Sequence, residues 1–112
     1  MLPMTRSASI DTVMRSLADP TRRAIFERII RSGTISVSDL ASGSGVTQSA
    51  VSQHLRSLKM AGLIAAQSQG RNVFYRAQPK GLAPLVDWMS HYGVFWRERF
   101  ADLRILLKEI DP

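Results

Sequence analysis

Gln48, Ser49, Ser52, Gln53, Arg56 and Lys59 carry the chemistry that this sequence offers. Amides, hydroxyls and cations hydrogen-bond base edges and phosphate oxygens. That is chemistry of recognition, not of making or breaking covalent bonds. No acid lies among them. Val51, Leu55 and Leu58, spaced by four and three, share the other side of the same predicted helix and point into a core. Thr47 stands where an N-cap belongs, and Gly62 where a left-handed cap closes a helix. A bare amphipathic surface helix would show the same stripe; the segments flanking this one on both sides argue for a binding face. His54 lies in the same helix. Hydrogen bonding near a nucleic acid or to the neighbouring turn suits it better than metal ligation, since no second ligand is near in sequence.

Composition narrows the alternatives. With 112 residues, the chain is long enough for one domain with a modest core. It has no cysteine, so disulfides, thiolate metal sites and Cys nucleophiles are excluded. The two histidines stand far from any nucleophile arrangement, and no phosphate-cradling glycine motif is present, so no enzyme is expected. No apolar run approaches the roughly 20 residues that span a bilayer, and the start MLPMTRSASI lacks a signal-peptide core. A soluble cytoplasmic protein without membrane contact is expected. Net charge is +6 and the pI is about 10.8. Between Asp39 and Asp87 there is no acid, yet Arg56, Lys59, Arg71, Arg76 and Lys80 lie there. Beyond Lys80 the signs nearly cancel, with Arg97, Arg99, Arg104 and Lys108 against Asp87, Glu98, Asp102, Glu109 and Asp111. The middle suits a polyanion and the tail suits protein.

The elements around the polar face follow in chain order. Ile10, Val13, Met14 and Leu17 form one stripe of a short helix over Ser9–Leu17, which must dock to be stable. Asp19-Pro20 starts a second helix to about Arg31, with Ile25, Phe26, Ile29 and Ile30 inward and Arg22, Arg23, Glu27 and Arg28 outward. Arg22 and Arg23 sit where they could meet phosphate or simply water. Ser36, with Asp39 three residues on, begins a third short helix that buries Val37, Leu40 and Ala41. Ser42-Gly43-Ser44-Gly45 is a turn, after which Val46 re-enters the core. Together these make a helix-turn-helix over about 36–61. Leu63–Ser68 and Val73–Ala77, joined through Gln69–Asn72, read as a hairpin wing over about 63–77. Its tip carries Arg71, placed to reach along a duplex. A last helix is expected over about 82–110. Leu82, Leu85, Met89, Tyr92, Trp96, Leu103, Leu106 and Ile110 recur along it, and Val86, Trp88, Phe95, Phe100 and Leu107 widen the stripe. That is too much apolar surface for one terminal helix, so packing on the first helix and on a second copy is expected. Gly93 is its weak point. The expected fold is mainly α with a small β-hairpin: one winged helix-turn-helix domain over 1–112, with N- and C-terminal dimerisation helices.

Four stretches carry a resemblance: Leu17-Ala18-Asp19-Pro20-Thr21-Arg22-Arg23, Ser49-Ala50-Val51-Ser52-Gln53-His54-Leu55, Ala61-Gly62-Leu63-Ile64, and Gly70-Arg71 with Phe74-Tyr75-Arg76. With these the chain resembles, over nearly its whole length, the ArsR/SmtB family of bacterial winged-helix repressors. The resemblance implies a homodimer built on the first and last helices and bound to an inverted-repeat operator in double-stranded DNA. Carried onto this chain, it places Gln48, Ser49, Ser52, Gln53, His54 and Arg56 in the reading head and Arg71 in the wing. Thr47, Lys59 and Arg22 complete the DNA-facing set. Ile10, Val13, Leu17, Leu85, Met89, Tyr92, Trp96 and Leu103 are the expected dimer interface. One departure matters. Where arsenic sensors of the family carry two cysteines, this chain has Ser36-Val37-Ser38-Asp39-Leu40, and neutral hydroxyls are poor ligands for a soft metal. Asp87 and His91, at i and i+4, fall short of the family's His-rich zinc set. No cofactor or metal is expected, and no residue names a small-molecule inducer. The rival readings are a repressor responsive to a metal or small ligand through the last helix, and a winged-helix module for protein assembly. The acid-free, amide-rich face argues against the second.

Overall fold

Local capping sets where the helices of the N-terminal two thirds begin and end. α1 spans Met4–Ala18, so it starts a turn earlier than its apolar stripe predicts. In α2 (Pro20–Ser32) the Asp19 carboxylate accepts the Arg22 backbone N–H at 2.9 Å, and Pro20 opens the first turn. In α3 (Val37–Ala41) the Ser36 hydroxyl accepts the Asp39 N–H at 3.2 Å. In α4 (Gln48–Met60) the Thr47 hydroxyl accepts the Ala50 N–H at 3.1 Å. α4 ends as the sequence predicts. Gly62 takes φ +78°, its N–H donates to the Lys59 carbonyl, and the Leu63 N–H donates to the Leu58 carbonyl, both at 3.0 Å. That pair of bonds is a Schellman cap, which needs the left-handed conformation at Gly62. These placements come from a computed structural model that describes residues 4–110, with side chains from Ile10 onward. The first three residues of the N-terminal reading, and Asp111 of the tail's charge balance, lie outside the described residues.

The expected hairpin is part of a larger sheet. β2 (Ile64–Gln69) and β3 (Asn72–Ala77) pair antiparallel, with Ala66 opposite Tyr75. A further strand, β1 (Thr34–Ser36), pairs antiparallel with β3, so the order is β1-β3-β2. The sequence reading missed β1. Three residues are too few for a periodicity to register, and the β-branched Thr34-Ile35 pair was the only local signal. β1 ties α2 and α3 to the wing and buries Ile35 beneath the sheet.

One core holds α1 to β2 together: Val13, Ile25, Phe26, Ile29, Ile35, Leu40, Val51, Leu55, Leu58, Leu63 and Ile64. Val51, Leu55 and Leu58 are the predicted inner face of α4. Ile30 is not inward; it is half exposed at the edge of α2. Val13 is fully buried in this core, and Leu17 and Leu85 pack against it. Val13 is thereby committed to the fold of one chain, while Leu17 and Leu85 keep partly exposed surface.

The C-terminal segment departs most from expectation. A 3-10 turn (Pro79–Leu82) leads into α5 (Ala83–His91), and the chain breaks at Tyr92 before α6 (Gly93–Ile110). The single helix expected over 82–110 is therefore two. Tyr92 leaves helical geometry at φ −109°, ψ 16°, and Gly93, the predicted weak point, starts the second helix. α5 packs on α1, but α6 makes appreciable contact only with α5 among the described elements. The radius of gyration is 18.1 Å, against roughly 13 Å for a compact chain of about this length. α6 projects from the body.

The 3-10 turn is clasped to the end of α4. The Gln78 N–H donates to the Leu63 carbonyl at 2.8 Å. Gly81 lies so close to the Gly62–Leu63 backbone that an added methyl would collide with the Gly62 carbonyl. The helix that offers the polar face and the segment leading to α6 are thus locked backbone to backbone.

Candidate nucleic-acid interface

With Val51, Leu55 and Leu58 buried, the 100° step of an α-helix fixes where every other side chain of α4 points. Ser49, Gln53, Arg56 and Met60 lie on the outermost line, and all are exposed. Gln48, Ser52 and Lys59 lean to one side. Gln48 there lines a cleft of about 460 Å³ with Ser36, Asp39, Arg71, Asn72 and Phe74. Ala50, His54 and Ser57 lean to the other side and are partly buried.

The predicted residues do not all share one surface. Gln48, Ser49, Ser52, Gln53, Arg56 and Lys59 are exposed together on α4. Thr47 supplies the N-cap, so its hydroxyl is engaged at the head of the helix. Arg71 is exposed in the two-residue β2–β3 turn, where Gly70 at φ +62° lets the strands reverse. His54 is half buried and leans toward α2 beside Asp19, off the centre of the reading face. The Arg22 N–H lowers the Asp19 carboxyl below its usual value, and the nearby Arg22 and His54 charges add to that. Arg22 itself turns inward. Its Nε donates to the Ser16 carbonyl at 2.7 Å and its Nη2 to the Arg15 carbonyl at 3.1 Å. Arg22 therefore caps the end of α1, and this commits the guanidinium expected to meet phosphate. Arg23 does the same through Leu17, its Nη1 donating to that carbonyl. Arg28 donates from Nη1 to the Leu40 carbonyl at 2.9 Å and holds α3 against α2.

This is a helix-turn-helix: α3 braced by Arg28, a glycine turn, and α4 presenting an acid-free polar line beside a basic hairpin tip. A helix-turn-helix domain family model matches residues 17–66. The HTH-type transcriptional regulator Rv2034 of Mycobacterium tuberculosis is 43% identical over 82 residues, which cover 73% of this chain and 76% of the relative. The transcriptional repressor SdpR of Bacillus subtilis is 26% identical over 83 residues, covering 74% and 91%. An ArsR-like transcriptional regulator from Rhodococcus sp. RHA1 superposes with a TM-score of 0.71 at 29% identity, covering 89% of this chain and 93% of that one. The chain belongs to the ArsR/SmtB family of winged helix-turn-helix regulators. It is a DNA-binding transcriptional regulator, and its three-stranded sheet and mostly helical body are those of the family's fold.

For an ArsR/SmtB regulator, two features stand out. Met60 is 79% exposed on the outermost line of α4, one turn beyond Arg56. The sequence reading passed over it, because a methionine at the end of an amphipathic helix reads as core filler. The second feature is the α5–α6 elbow. Trp88, Tyr92, Phe95 and Trp96 line a wholly apolar cleft of about 370 Å³. Their rings pack edge-on or tilted, with Trp88 5.4 Å from Tyr92 and Phe95 5.2 Å from Trp96. Met89, Tyr92, Trp96 and Leu103, expected at the dimer interface, are each 44–55% exposed, and Ile10 is half buried on α1. His91 stands edge-on to Tyr92 at 5.7 Å. Among the described residues no three His, Cys, Asp or Glu side chains converge, and no helix is long and apolar enough to cross a membrane.

Proposed function

We propose that the chain is a single winged helix-turn-helix domain that works as a homodimeric cytoplasmic repressor on an inverted-repeat operator. α4 enters the major groove with Ser49, Ser52, Gln53 and Arg56 toward base edges, while Gln48, Lys59 and Arg71 meet the backbone on the wing side. The observation that carries this reading is the exposed line on α4. Apart from Met60 at its end it is polar, free of acid and rigidly capped at both ends, as base recognition by preset side chains requires. The similarity to a protein named as a transcriptional repressor supports the sign of regulation.

Pairing through α5 and α6 is supported by exposed apolar surface. Trp96, Phe100, Leu103, Leu107 and Ile110 follow spacings of four and three along α6, and each is 44% or more exposed. A lone domain rarely leaves such a seam in water. Covering it with a second copy would also carry two α4 helices to successive turns of one duplex face, about 34–36 Å apart.

The test uses a duplex recovered by selection from a random-sequence pool, with binding followed by fluorescence anisotropy across a salt series. Gln53→Ala should cost about 1–3 kcal/mol on that duplex and relax preference at one base position. Arg71→Ala should weaken binding to every sequence and lower the salt slope by about one. If Gln53→Ala changes neither affinity nor preference, the assignment of α4 as reader is wrong.

A further inference from the structure

We propose that Arg15, near the end of α1, is a second backbone-phosphate contact, gripping the DNA strand opposite the one met by the wing. The inference rests on the reading of α4 as the major-groove helix. That groove is bounded by two phosphate backbones about 12 Å apart, so a helix seated in it has a backbone on each side. The wing side is equipped: Gln48 and Arg71 line one cleft. On the other side Ser57 and Met60 of α4 line a cleft of about 200 Å³ with Thr12, Arg15, Ser16 and Arg22. The two clefts flank the line formed by Ser49, Gln53, Arg56 and Met60, and each carries one exposed arginine.

Arg22 lines this second cleft, but Nε and Nη2 of its guanidinium are held by the Ser16 and Arg15 carbonyls. It therefore works as a brace. It fixes the end of α1 against α2, and so sets where Arg15 stands relative to α4. The Arg15 side chain makes no hydrogen bond or ion pair with any described residue and remains free to reach outward. No acid lines the cleft. Asp11, one turn earlier on α1, is not paired with it. The floor of the cleft holds Ser16, whose hydroxyl is buried without a hydrogen-bond partner among the described residues. The lining is thus cationic and polar, and its rim is the exposed Met60, which would lie against sugar atoms at the groove edge.

Only the Arg15 carbonyl takes part in the α1–α2 brace, so Arg15→Ala removes the guanidinium and leaves the fold intact. On the full chain, anisotropy with the selected duplex and with an unrelated duplex of equal length should show roughly a three- to tenfold loss on both, and a salt slope lower by about one. The melting temperature should not move. Arg15→Lys should recover the slope, because a phosphate contact asks for charge. Unchanged affinity and slope in Arg15→Ala, with Arg71→Ala still lowering the slope, would overturn the Arg15 assignment and leave the α4 reading standing. If neither Arg71→Ala nor Gln53→Ala alters binding, the α4 reading falls and this inference falls with it.

Discussion

The part of the chain from α2 to β3 and the part from α5 to α6 solve opposite problems. The first closes its own core: Ile29, Val51, Leu55, Leu58 and Leu63 are each no more than 1% exposed. The second contains no buried residue, although its apolar content is at least as high. A segment that buries its stripe internally can be judged alone, and its outer face is then free for a ligand. On the proposed pairing, a segment that leaves Trp88, Phe95, Trp96, Phe100 and Leu103 exposed is completed by a second copy. The Gly62–Gly81 clasp joins the two, so on that pairing the position of α4 is tied to the helices that would meet the second copy.

The comparison can be broken hardest at the tail. On the proposed pairing, Leu103→Asp sets a charge at the centre of the apolar seam and leaves the α2–β3 core untouched. Size-exclusion chromatography with light scattering should show a monomer at micromolar concentration. Affinity for a two-half-site duplex should fall by about a hundredfold or more, since two linked heads gain 10²–10⁴ in avidity. Affinity for an isolated half-site should stay the same. A variant that stays dimeric would remove α6 from the interface.

The joint between the regions is the next place to press. Gly81→Ala places a methyl against backbone, which cannot rotate away as a side chain can. Overpacking of this kind typically costs about 1–3 kcal/mol, to be read from urea unfolding. Because the clasp also sets the angle between α4 and α5, the palindromic duplex should lose more affinity than a half-site. Equal losses on both would mean that the clasp stabilises the head but does not orient it.

The same contrast decides what was legible in the sequence. α2 and α4 were read within a residue or two, because Asp19-Pro20, Thr47 and Gly62 are local signals whose partners lie within one turn. Gln48 through Lys59 could be placed outside as soon as Val51, Leu55 and Leu58 were placed inside. What failed depends on distance. Arg22 is a cation near a helix start, and only the return of α1 alongside α2 shows that its guanidinium is taken by the Ser16 and Arg15 carbonyls. Val13 and Met89 look alike as members of an apolar stripe, yet one is 1% exposed and the other 55%. Periodicity says which residues share a face, not what lies across from it. The break at Tyr92 was marked in sequence by Gly93, but a single glycine inside a strong stripe weakens a helix without ending it.

The smallest expected effect lies wholly within the head. Asp19 accepts the Arg22 N–H at the start of α2, and this bond, followed by the Arg22 and His54 charges, lowers its pKa from the ordinary 3.8. The carboxylate is the form the folded chain prefers. Its contribution is therefore complete above the unfolded pKa of about 3.8 and is lost as pH falls through the lower folded value. Melting temperature should fall as pH drops below about 4, where the unfolded carboxyl takes up a proton that the native cap still resists, and level off once the native cap is protonated too. Asp19→Asn keeps an oxygen acceptor for the Arg22 N–H but has no proton to take up, so its profile should be flatter over that window and close to the parent near neutrality. Asp19→Ala should lie below both at neutral pH, because the N–H loses its acceptor. The group is only partly buried, so salt should shrink the charge-dependent part and leave the hydrogen-bonded part. Parallel profiles for the parent and Asp19→Asn below pH 4 would show that other carboxylates, not this cap, govern acid unfolding of the head.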